Sequence, residues 1–132
     1  MKIQFTIEGN QDDPKGNPIP KIKKTFRQQW TPQAQRYAAW KEYVKECASP
    51  ALIAAIVDFR NDYLLPKQKP IKGTPEAVMD IVIHWANERH ADQESIFGSI
   101  ADAIFENDKE LAGSFSAVHD GQGKVEVTIE LW

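Results

Sequence analysis

The chain has 132 residues, 42% of them hydrophobic and 27% charged, and a formal net charge of −3. That length suits one domain with its own apolar core, and the acidic balance excludes a uniformly basic nucleic-acid coat. The single cysteine, Cys47, excludes an intrachain disulfide and a multi-cysteine zinc site, and no apolar run approaches the ~18 residues of a membrane span.

Residues 2–8 alternate, with Ile3, Phe5 and Ile7 on one side and Lys2, Gln4, Thr6 and Glu8 on the other. This predicts a half-buried strand. The start lacks a signal-peptide core, so a cytoplasmic protein is expected. GNQDDPKGNPIP, residues 9–20, reads as a loop. KIKKTFRQQW follows, basic and aromatic. Its Lys21, Lys23, Lys24 and Arg27 suit DNA phosphates, and Phe26 or Trp30 suits stacking on an unpaired base. The competing reading is a solvated edge strand whose lysines deter aggregation.

Thr31-Pro32 is a helix start, and residues 32–47 carry Ala34, Tyr37, Ala38, Trp40, Val44 and Cys47 at helical spacing. Ser49-Pro50 repeats the start signal, and Leu52, Ile53, Ile56 and Val57 give a second stripe. LLPKQKPIKGTP, residues 64–75, is a proline-rich connection. Residues 77–86 are β-branched and alternate, which predicts a central strand. Residues 94–106 predict a third helix, with Ile96, Phe97, Ile100, Ala103 and Ile104 on its buried stripe. A short strand is expected at 114–119. The turn DGQG then leads into KVEVTIELW, where Val125, Val127, Ile129 and Leu131 alternate. The sum is an α+β domain, a small mixed β-sheet with helices packed against it.

The chemistry concentrates around the third helix. Asp92 and Glu94 fall in the turn before it, Asp102 on it and Asp108 just past its end. Carboxylates from two loops are hard oxygen ligands suited to Mg²⁺. The plainer reading makes Asp92 an N-cap, Glu94 a partner of the helix dipole, Asp102 a solvated helical acid and Asp108 a helix terminator. His84 reads as a sheet residue and His119 as part of a surface turn. His90, two residues before Asp92, could support a metal ligand or contact a phosphate. Cys47 has no histidine near it in sequence, and no P-loop or dinucleotide fingerprint occurs.

The run Asp92-Gln93-Glu94-Ser95-Ile96-Phe97-Gly98-Ser99-Ile100-Ala101-Asp102-Ala103-Ile104, with Asp108 after it, resembles the signature of the RusA family of Holliday junction resolvases. In that family an Asp, any residue, Asp-Asn, two residues, Lys, three residues and Asp-Ala-Leu follow a central strand, with a further Asp after them. The first strand, the basic Pro-containing loop, the Thr-started helix TPQAQRYAAWKEYV and the last alternating strand also resemble it. The resemblance covers most of one domain, residues 1–132, with residues 49–73 as an insertion.

It implies a structure-selective endodeoxyribonuclease that uses Mg²⁺, or Mn²⁺ in its place, to resolve four-way DNA junctions as a homodimer. Carried over, the catalytic and metal-holding acids fall on Asp92, Glu94 and Asp108, with Ser95, Asp102 and His90 behind them. Branched DNA would meet Lys21, Lys23, Lys24, Arg27, Trp30, Arg89 and Lys109. Three departures stand out, the first being Glu94 where the family has its second Asp. Ser95 replaces the family's Asn, and Gly98 replaces its Lys, for which Lys109 and Arg89 are the candidate substitutes. The alternatives are a DNA-binding relative that has lost catalysis with that lysine, and an acidic protein-interaction module.

Overall fold

A computed structural model describes residues 2–22, 31–55, 69–71, 76–109 and 111–132. The elements in chain order are β1 (Lys2–Glu8), α1 (Pro32–Ala55), β2 (Ala77–His84), α2 (Gln93–Ile104), β3 (Leu111–Val118) and β4 (Lys124–Leu131). The four strands form one mixed sheet in the order β1-β4-β2-β3. β4 is antiparallel to both β1 and β2, and β2 is parallel to β3. The fold is therefore α+β, and among the described residues two helices pack against the mixed sheet.

Strand alternation decides which face is covered. Ile3 and Ile7, Ala77, Met79, Ile81 and Ile83, and Val125, Val127 and Ile129 all lie on one face and are buried. Trp40, Val44 and Leu52 of α1 and Ile96, Ile100 and Ile104 of α2 join them in the core. Lys2, Gln4, Thr6, Glu8, Asp80, Glu126 and Glu130 sit on the other face and are exposed. Burying an aliphatic or aromatic side chain contributes about 1.5–3 kcal/mol, so this one layer supplies most of the drive to fold.

Two helical segments were expected between residues 32 and 57, and one helix spans Pro32–Ala55 with Pro50 inside it. The Thr31 hydroxyl caps its start by accepting the Ala34 amide at 3.1 Å. Pro50 removes one helical donor, which would normally favour a break. The buried stripe Tyr37, Trp40, Val44, Ala48 and Leu52 runs on past it without losing register. Pro50 and Glu46, four residues earlier, are both exposed, so water can reach that side of the helix. Part of the expected insertion thus belongs to the core: residues 49–55 end α1, and Leu52 is buried. Ile71 is also buried and is clamped to the end of α2 by Ile71 N to Ile104 O and Glu106 N to Ile71 O, at 3.0 and 2.8 Å. Ile56 and Val57 lie outside the described residues.

β3 is longer than the strand expected at 114–119. Its sequence LAGSFSAV lacks a hydrophobic alternation because it is an edge strand with most residues exposed. Gly113 has a steric reason: a Cβ there would stand 1.9 Å from the Met79 carbonyl oxygen. In the β3–β4 turn, Gly121 and Gly123 take positive φ of 77° and 65°, a region glycine enters without penalty.

Candidate functional site

α2 places the predicted acids. Asp92 is its N-cap, with Oδ1 accepting the Ser95 amide at 2.8 Å and Oδ2 the Ser95 hydroxyl at 3.1 Å. Those two bonds, the amide first, hold its carboxyl below the usual range. Ser95, standing where the resembled family has Asn, therefore keeps a hydrogen-bonding role. Glu94 is exposed in the first turn, where the positive end of the helix dipole favours an acid. Asp108 is exposed beyond the opposite end. Twelve helical residues separate the two ends, which is about 18 Å of axis.

The expected triad Asp92, Glu94 and Asp108 is accordingly split. Among the described residues no group of three or more His, Cys, Asp or Glu side chains is placed to hold a metal ion. Asp92 and Glu94 remain together at one end of α2. Asp108 and Lys109 are at the other.

Asp102 belongs to neither end. It points into a cavity of about 260 Å³ lined by Ala38, Lys41, Glu42, Lys45 and Lys69. Its oxygens accept from the Tyr37 hydroxyl at 2.7 Å and from Lys69 Nζ at 2.9 Å, with Lys41 Nζ at 3.4 Å. Burial works against its charge. The bonds from Lys69 and Tyr37 and the charges of Lys41 and Lys69 outweigh that, and its carboxyl is held down to about 2. Burial, then the bond to Asp102, pushes the Tyr37 hydroxyl upward. Asp102 thus ties α2 to α1 and to Lys69. The paired lysines could not have been found from spacing, because Lys69 is 33 residues away.

The cations at the Asp92 end come from two loops. Lys21 donates its backbone amide to Ser95 O at 3.0 Å. Its side chain lies over Gly98: a Cβ built there would be 3.3 Å from Lys21 Cδ and 3.7 Å from Lys21 Cβ. Lys21 as a whole stays exposed. Of the two cations expected to compensate for Gly98, Lys109 is at the wrong end of α2. Lys21 is the lysine whose side chain covers the position. Arg89 and His90 line a cleft of about 560 Å³ with Asp12, Asn17 and Arg36. Asn17 fixes that cleft by donating to Asn87 Oδ1 and Arg89 O, both at 3.1 Å, and accepting the Ala86 amide at 2.6 Å. Lys23, Lys24, Arg27 and Trp30 lie outside the described residues.

The C-terminal ends of the parallel strands β2 and β3 lie beside one another, and the segment leaving β2 leads into α2. Loops at the carboxyl ends of parallel strands are common ligand positions. Lys21, Arg89, His90, Asp92, Glu94 and Ser95 gather along this segment and the start of α2. No helix among the described residues is long and apolar enough to cross a membrane. No protein-family model matches the chain, and no curated protein matches it.

Proposed function

We propose that this chain is a metal-dependent DNA endonuclease of the kind that resolves four-way junctions. The observation that carries the reading is Lys21 across Gly98, one helical turn from Glu94 and hydrogen-bonded to Ser95. It lays a lysine stem over the position where the RusA-like signature has its lysine, on the helix whose first turn follows Asp92 and carries Glu94. Asp92 and Glu94 are the residues that would hold Mg²⁺ or Mn²⁺. They offer two carboxylates two positions apart at the start of α2, and one or two carboxylates are what Mg²⁺ takes from a protein before water and phosphate oxygens complete it. Each Asp92 oxygen already accepts one hydrogen bond and keeps a second lone pair. Such an ion supplies an activated water and neutralises charge on a phosphate. Lys21 and Arg89 would bind and orient the DNA backbone.

A four-way junction has two-fold symmetry, so two copies of the chain suit it. β3 would be the surface for that assembly. It is an eight-residue edge strand without charge or proline, which favours pairing with another strand. The other edge, β1, carries Lys2 and Glu8.

The second reading is a DNA-binding relative without catalysis. Asp108 at the far end of α2 and the capping bonds on Asp92 favour it. The deciding experiment presents a fixed four-way junction to the chain, first in EDTA and then with Mg²⁺ or Mn²⁺. Binding in EDTA, with cleavage in either ion that is lost in Asp92→Asn and Glu94→Gln, supports the endonuclease. Binding without cleavage moves the conclusion to the second reading. No binding at low salt removes both.

A further inference from the structure

His90 and His119 are 29 residues apart in sequence, and their rings meet. The parallel pairing of β2 and β3 brings the segments after those strands out side by side. Two backbone bonds then lock them, Trp85 N to Val118 O and Gly121 N to Trp85 O, each 2.9 Å. The His90 ring lies on Trp85, with centroids 3.8 Å apart and planes 6° from parallel. Trp85 is buried, whereas His90 and His119 are exposed. One side of His90 is therefore fixed on the core and its edge is open to solvent.

We infer that His90 and His119 form a two-histidine site for a divalent transition metal of the Zn²⁺, Ni²⁺ and Cu²⁺ class. The tautomer supports it. His90 Nδ1 is 2.8 Å from the Ala91 carbonyl oxygen. A carbonyl only accepts, so Nδ1 carries the proton and Nε2 presents its lone pair. An outward N–H held by a backbone carbonyl is the arrangement that orients imidazole as a metal ligand.

The spacing supports it as well. With metal–nitrogen bonds of about 2.0–2.1 Å, two ligand nitrogens stand about 2.9 Å apart for a right angle at the ion and about 3.3 Å apart for a tetrahedral one. The two Nε2 atoms are 3.1 Å apart. Their ring centroids are 5.2 Å apart and the planes are tilted by 46°. A small turn of the exposed His119 ring aims both lone pairs at one ion, which takes the place of the hydrogen shared between the nitrogens. Imidazole selects this class of ion over Mg²⁺. The remaining coordination positions face solvent. His84 takes no part, since its nitrogens meet Asp120 and Glu126 at 2.6 and 3.1 Å.

The test uses the full chain without an affinity tag, titrated with Ni²⁺ and with Cu²⁺ in a non-coordinating buffer. Calorimetry should give one tightly bound ion per chain, apart from any weaker ion taken by the acids at the start of α2. Cu²⁺ should also quench tryptophan emission, because His90 stacks on Trp85. His90→Gln and His119→Gln should each weaken binding by about tenfold or more, a loss at least as large as that from removing an outer-shell partner. Glu94→Gln should leave it unchanged, which separates this site from the acids at the start of α2 and keeps the outcome independent of the nuclease reading. Both histidines are exposed, and circular dichroism checks that the variants remain folded. No binding at millimolar ion, affinity unmoved by the histidine changes, or a loss in Glu94→Gln equal to that in His90→Gln would overturn the site.

Discussion

Lys21 lies across Gly98, with its Cδ 3.3 Å from where a Cβ would begin. The glycine leaves room for a lysine arriving from another loop. That loop is fixed by the bond from Lys21 N to Ser95 O at 3.0 Å, so the stem of the cation is positioned by backbone. A lysine placed at 98 would contend with Lys21 for the same space, which changes what substitution there should do.

For the endonuclease proposed above, Lys21→Ala should lower junction cleavage by about a hundredfold, the scale of losing one group that stabilises charge on the reacting centre. Gly98→Lys alone should add little, because it displaces an existing cation. Gly98→Lys in the Lys21→Ala background should restore cleavage, and Gly98→Ala in that background should not. Single-turnover rates on a labelled junction measure all four. Equal rates in the two double variants would remove Lys21 from the site.

The buried contact between helices gives a stability prediction. Trp40 Nε1 donates to Ser99 Oγ at 3.0 Å, and Ser99 in turn donates to Ile96 O at 2.9 Å. Ser99→Ala leaves a buried indole N–H without its acceptor, at a cost of about 1–3 kcal/mol. The melting temperature should fall by roughly 3–10 °C for a chain of this size. Trp40→Phe added to Ser99→Ala should cost less than the two single changes summed, because they share one bond.

Asp102 predicts an acid-sensitive step. Its folded pKa of about 2 lies below the ordinary carboxyl value of about 3.9. The stabilisation is therefore complete above about pH 4 and is lost as pH falls from about 4 toward 2. Its side chain is 24% exposed, which leaves a contribution of ~2 kcal/mol at neutral pH. Asp102→Asn should be less stable at pH 7 and should converge with the parent chain as pH approaches 2. Urea unfolding at several pH values measures the gap, and a constant gap would contradict the assignment.

Gly113→Ala should be strongly destabilising. The added carbon would stand 1.9 Å from the Met79 carbonyl oxygen and 3.1 Å from the Phe97 ring. Neither the β2 backbone nor the ring held against Phe115 at 5.8 Å can withdraw without disturbing the sheet. Overpacking of this kind costs about 1–3 kcal/mol or more. Chemical denaturation measures it, and a loss under 0.5 kcal/mol, about the level of neutral surface changes, would mean that β3 can shift freely.

Elements with a buried face and an exposed face were readable from residue order. Ile3/Phe5/Ile7, Met79/Ile81/Ile83 and Val125/Val127/Ile129 mark three strands by alternation alone, and Ile96, Ile100 and Ile104 mark α2. Residue order marks β3 poorly, because Ser114, Phe115 and Ser116 are all exposed and carry no period. Pro50 suggested a helix boundary on local grounds, and the buried stripe through Ala48 and Leu52 outweighed it. For the site, the Asp92 cap is local and matches the plainer reading of the acids, whereas Ser95 as its partner comes from the structure alone. The separation of Asp108 follows from the length of α2. Lys21 over Gly98, Lys69 on Asp102 and His90 against His119 are long-range contacts that no spacing rule encodes.

The sheet order has a consequence for synthesis. β1 pairs along its whole length with β4, from Lys2 opposite Glu130 to Glu8 opposite Lys124. β4 also separates β1 from β2. The first of these strands to leave the ribosome therefore waits for the last, since its neighbour in the sheet is made more than a hundred residues later. Until then Ile3, Phe5 and Ile7 have no strand beside them, and closing so long a loop slows the final pairing. The nascent chain should stay protease-sensitive while β4 is still in the exit tunnel, and become resistant in one step once Leu131 has cleared it.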